Sequence, residues 1–116
     1  MNNRRGRPIS QVDVEEEIIR LMDILEEETE AFERLAEDAA KKEATFKSNW
    51  AKEYLAAKGS IKEREAWADY KLSDESYDWK ISDALVRAKR EKLISLRTSL
   101  DALRTLSANV RYQVSS

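Results

Sequence analysis

Two short acidic spacings are the first places where this chain could do chemistry: Glu30-x-x-Glu33 and Glu75-x-x-Asp78. Carboxylates three apart share one face of a helix, and paired hard oxygen ligands of that kind hold Mg²⁺. Nothing else is offered for catalysis in the usual way. The chain has no His and no Cys, which removes thiolate metal sites and the commonest nucleophiles and general bases. With 23 acidic residues, such spacings recur by chance. The hairpin register derived below also sets Glu33 near position 85, about 15 Å along the axis from Glu75. The carboxylates are therefore expected to form a solvated acidic face. No catalytic residue, metal or cofactor is expected.

Binding chemistry is better represented. The stretch Arg87-Ala88-Lys89-Arg90-Glu91-Lys92 has the composition of a phosphate-binding patch. The aromatic group Trp50, Tyr54, Trp67, Tyr70, Tyr77 and Trp79 could stack on bases, although aromatics at helical spacing more often form core. The N-terminal residues MNNRRGRPIS are polar and basic, and Arg5-Gly6-Arg7-Pro8 resembles the core of an AT-hook. That resemblance implies two arginines laid into a narrow A·T minor groove. The chemistry is sound: such grooves concentrate negative potential, Gly6 lets the backbone approach, Pro8 stiffens the exit, and Arg4 adds a phosphate contact. Residues Arg4, Arg5, Gly6, Arg7 and Pro8 are the candidate DNA contacts, on an arm spanning residues 1–10. The alternative is a solvated basic tail.

The elements that must carry these residues are helices. The 116 residues include 2 Gly and 1 Pro, where an average chain of this length has about 13. A loop-rich or all-β fold is excluded, and 38% charged with 41% hydrophobic residues is the balance of long solvated helices. No apolar run approaches the ~18 residues of a membrane span, and the N-terminus lacks the apolar core of a signal peptide. The expectation is a cytoplasmic protein with no membrane partner.

Residues 13–57 and 61–112 contain neither Gly nor Pro, and Gly59-Ser60 separates them. Glycine suits the position just past a helix end, and Ser60 with Glu63 has the spacing of a capping box. The predicted fold is all-α: a long antiparallel, coiled-coil-like hairpin over residues 11–116. Helix 1 is expected over about 11–58, a hinge at 59–60, and helix 2 over about 61–113. Asp13 with Glu16 marks a second capping-box spacing near the start of helix 1, which begins at Ser10 or Asp13.

Both helices carry a seven-residue apolar row, Ile18, Leu25, Phe32, Ala39 and Phe46 on the first, Leu72, Trp79, Val86, Leu93 and Leu100 on the second. A heptad of this length marks a coiled-coil seam. Folding about Gly59 pairs positions whose numbers total about 118. Leu25 then lies beside Leu93, Ile18 beside Leu100, Phe46 beside Leu72, and Trp79 opposite Ala39 and Ala40. Residues 13–38 hold 12 acidic and 2 basic side chains, whereas residues 80–111 hold 8 basic and 3 acidic. That opposition favours the antiparallel register.

A second apolar row, Trp67, Tyr70, Tyr77, Ile81, Ala84 and Ala88, lies opposite the first on helix 2. A helix apolar on two sides is buried on two sides. The expectation is a homo-oligomeric helical bundle, a dimer or higher. Its interface is predicted at Trp67, Tyr70, Tyr77 and Ile81, with Leu103 and Val110 on an overhang of helix 2 that needs cover of its own.

The segments AKEYLAAKGSIKEREA (Ala51 to Ala66) and LDALRTLSANVR (Leu100 to Arg111), with the acidic-aromatic middle between them, resemble a group of small helical proteins from phages of Gram-positive and actinobacterial hosts. The resemblance covers roughly half the chain. It implies an accessory role near recombination and single-strand-annealing genes, and assigns no catalytic residues. The expected function is a non-enzymatic phage accessory protein acting by binding in DNA metabolism or recombination. Its expected partners are itself, A·T-rich duplex DNA, or a phage or host DNA-processing protein. The alternative is a structural or host-inhibiting interaction module with no DNA contact. A remote alternative is an Mg²⁺-dependent nucleotide pyrophosphohydrolase, because all-helical members of that group carry E-x-x-E and E-x-x-D pairs similar to those at Glu30 and Glu75.

Overall fold

The first helix starts where a serine can cap it. Ser10 Oγ accepts the Asp13 amide at 3.1 Å, and the Ser10 amide donates to the Asp13 carboxylate at 3.3 Å. This reciprocal pair satisfies two amides that a helix start leaves open. The cap is therefore Ser10 with Asp13, in place of the Asp13–Glu16 pair expected above. The computed structural model describes residues 9–115. The arm residues Arg4, Arg5, Gly6, Arg7 and Pro8 lie outside the described residues.

Three helices follow: α1 over Gln11–Ala56, α2 over Ile61–Lys71 and α3 over Ser73–Ser115, with no strand among the described residues. α1 ends two residues short of the expected 58. Gly59 has φ 113°, a conformation that side chains with a Cβ resist. Ser60 then caps α2, accepting the Glu63 amide at 3.2 Å while its own amide donates to the Glu63 carboxylate at 3.3 Å. The chain reverses here because a helix stop and a helix start sit within four residues.

The single second helix expected over 61–113 is interrupted at Leu72, where φ −110° and ψ 21° leave the helical region. The bonding ladder survives: Leu72 donates to Ala68 at 3.0 Å and receives Ser76 at 2.9 Å. Asp74 and Glu75 stand in the first turn of α3, where carboxylates favour a helix N-terminus. Ser73-Asp74-Glu75-Ser76 is thus a start signal that the absence of Gly and Pro conceals.

The chain divides into two compact units, Met1–Glu30 with Glu91–Ser116, and Ala31–Arg90. In the first, the start of α1 runs antiparallel to the end of α3. Gln11 Nε2 donates to Ser107 Oγ at 3.1 Å, and Lys92 donates to Glu28 at 3.1 Å. Val14, Leu21, Leu93, Leu100, Ser107 and Val110 are buried there. These pairs total about 118 to 120, the expected register.

In the second unit, α1 turns back into α2 and the start of α3. Arg64 lies 5.9 Å above the Tyr54 ring, and Trp50 Nε1 donates to Asp69 at 2.9 Å. Further from the turn the register slips. Phe46 meets Trp79, with ring centroids 6.3 Å apart, where the expected register set Trp79 opposite Ala39 and Ala40. This pair totals 125, whereas Lys42 totals 120 with Asp78 and 124 with Ser82. Two causes act together. The inward positions Arg64, Ala68, Leu72 and Ser76 are spaced by four, so the stretch from α2 into α3 spends more residues per layer than a heptad does. Long side chains also lean toward their own helix N-terminus, which raises the totals in an antiparallel pair.

Candidate interaction surfaces

Four of the six residues expected at an oligomer interface face outward from the second unit. Trp67 is 44% exposed, Tyr70 74%, Tyr77 69% and Ile81 44%. They recur at helical spacing along α2 and α3, so they share one face. The Trp67 and Tyr70 rings are 6.1 Å apart, and the Lys71 ammonium lies 5.7 Å over Trp67. Leu85 extends the row. A shallow recess lined by Phe46, Asp69, Ser73, Ser76, Tyr77 and Lys80 adjoins it.

The other two belong elsewhere. Leu103 is half-buried and Val110 is 8% exposed, both on the seam face of the first unit. Val110 is one three-residue step beyond Ser107, itself bonded to Gln11. The overhang expected to need a partner is therefore covered at Val110, and this residue leaves the outward row.

The aromatic group does not form a single stacking platform. Trp50 and Tyr54 stack on each other at 5.4 Å, and Trp79 sits half-buried against Phe46. Only Trp67, Tyr70 and Tyr77 remain outward. The basic stretch is likewise dispersed. Arg87 pairs with Asp83 at 3.1 Å, Lys92 with Glu28 at 3.1 Å, and Arg90 lies over the Phe32 ring at 5.7 Å.

The second acidic spacing is drawn into contacts with α1. Glu75 accepts the Asn49 side-chain amide at 3.1 Å, and Asp78 lies 3.9 Å from the Lys42 ammonium. Glu30 and Glu33 are exposed. Among the described residues no three carboxylates gather as a metal-binding group. Lys42 also contacts Asp38 at 3.3 Å and donates to the buried Ser82 hydroxyl at 3.2 Å. Only Ser82 of this cluster is buried; Lys42, Asp38 and Asp78 lie at the rim of the seam, with side chains 38%, 55% and 70% exposed.

On α1, Arg20 is held above its ordinary pKa by the hydrogen bond to Glu17 and by that carboxylate's charge. Among the described residues no helix is long and apolar enough to cross a membrane. Compared with family models, with curated proteins and with solved structures, the chain matches none.

Proposed function

We propose that this chain acts by binding, as a homo-oligomeric helical bundle whose copies meet through Trp67, Tyr70, Tyr77 and Ile81. The observation that carries the reading is that row: four large apolar side chains, outward on one face, that the chain's own seam leaves uncovered. Aromatic residues of this size bury on the order of 150–250 Å² each. A second copy is a suitable occupant because residues 31–90 hold 13 basic and 12 acidic side chains. Two such units approach without net repulsion. Light scattering at micromolar concentration is expected to give at least a dimer, and Tyr70→Asp with Tyr77→Asp to give a monomer of unchanged helicity. A monodisperse monomer of the parent chain would refute self-association and leave the row to a foreign protein.

The biological setting we propose is accessory work in phage DNA metabolism within the host cytoplasm, on the resemblance noted above. The arm supplies the DNA contact through Arg5 and Arg7, presented in several copies by the oligomer. Binding should favour A·T-rich duplex and weaken steeply with salt. Deleting residues 1–9 is expected to abolish duplex binding while helicity and assembly persist. Equal binding after the deletion would redirect attention to Arg87, Lys89, Arg90 and Lys92. No binding by the intact chain at low salt would favour the host-inhibiting module.

A further inference from the structure

A second outward surface lies on the first unit, and its chemistry differs from that of the aromatic row. Val12 is 60% exposed, Ile19 60% and Met22 49%. Successive spacings of seven and three place them on one face of α1. Met22 continues into a shallow groove formed with Leu25 and Thr29 of α1 and with Leu100 and Arg104 of α3. This apolar strip is bordered by acid. Residues 11–30 carry nine acidic side chains and one basic. Glu16, Asp23, Glu26 and Glu30 are all exposed. Lys92 to Glu28 is a cross-helix ion pair that offsets part of this charge.

We infer that this face of α1 is a docking surface for a basic amphipathic helix from another protein. Such a helix would lay apolar residues into the Met22–Leu100 groove and set Lys or Arg against Glu26 and Glu30. The mode is an amphipathic helix in a shallow groove, with Met22 supplying an adaptable apolar wall. Its electrostatic half speeds encounter and selects partners by sign. A second copy does not suit the place. In a symmetric contact it would bring the same excess of eight negative charges against the first. Of the α3 cations in this unit, Lys92 is paired with Glu28 and Arg104 with Asp101. Nucleic acid and anionic membrane are disfavoured by the same sign. The inference stands apart from both self-association and the arm.

The test uses the full chain and a synthetic leucine–lysine peptide of about 18 residues with apolar positions at three- and four-residue spacing. A scrambled peptide of equal composition is the control, and fluorescence anisotropy is the readout. The patterned peptide is expected to bind at least about tenfold more tightly than the scramble, and to weaken as salt rises toward about 0.3 M. Glu26→Lys with Glu30→Lys should weaken it at least about tenfold, and Glu26→Gln with Glu30→Gln by a smaller factor. Ile19→Ser with Met22→Ser should also weaken it. These side chains are exposed, so far-UV circular dichroism should confirm that helicity is kept. Tyr70→Asp with Tyr77→Asp should bind the peptide as the parent does. Equal binding of the scramble would reduce the effect to undirected charge and overturn the proposal. So would unchanged affinity in the serine variant, or loss of affinity in the tyrosine variant.

Discussion

Leu93→Ala and Leu100→Ala are each expected to lower the unfolding free energy by about 2–5 kcal/mol. Leu93 is 4% exposed and Leu100 2% exposed in the seam between α1 and α3. Truncation there removes buried methyl groups and leaves a cavity that two rigid helices close poorly. A thin core raises the stakes, because each buried leucine is a large share of the apolar contact available. Ile94, next in sequence to Leu93, is 48% exposed. Ile94→Ala should change stability by less than about 0.5 kcal/mol. Chemical denaturation at fixed protein concentration separates the cases, since self-association makes stability concentration-dependent. Equal midpoints for Leu93→Ala and Ile94→Ala would remove Leu93 from the seam.

The second large effect concerns Trp79, and its sign depends on the replacement. The ring packs against Phe46, but its Nε1 is buried with no hydrogen-bond partner. Trp79→Ala should cost about 3 kcal/mol through lost packing. Trp79→Phe keeps a ring in place and deletes an N–H whose unmet desolvation costs on the order of 1–3 kcal/mol. The phenylalanine variant should therefore lose less than about 1.5 kcal/mol, or gain. Thermal melts of the two variants against the parent decide it. If Phe costs as much as Ala, the indole N–H is satisfied in solution and the argument fails.

These expectations differ in how much of their basis lies in local sequence. The heptad placed Leu93 and Leu100 inward without knowledge of their partners, because a 3.5-residue apolar repeat has one solution for which face is covered. The same reasoning placed Tyr70 and Tyr77 outward on the opposite face, where the structure has them. The partner of Trp79 was not legible in that way. It depends on how many residues the chain spends between the turn and the ring, and the interruption at Leu72 with its four-residue spacings changes that number. A helix start signal within an unbroken polar-apolar pattern is too weak to reveal it. The acidic docking face was visible as charge, but not as a groove, because Leu100 and Arg104 border Met22 only through folding.

By itself the sequence determined that the chain is all-helical, that it reverses at Gly59-Ser60, and that Leu72, Val86, Leu93 and Leu100 face inward, though not that Val14, Ala68, Ser82 and Ser107 do. Those are consequences of backbone conformational freedom, capping chemistry and periodicity, all decided within a few residues. Only the tertiary structure decided the axial alignment: Phe46 on Trp79, Lys42 bridging Asp38, Asp78 and Ser82, and Val110 buried rather than overhanging. Alignment depends on the volumes that meet across the seam and on the residues each helix spends per layer. Both are properties of two segments at once, and neither segment contains them alone.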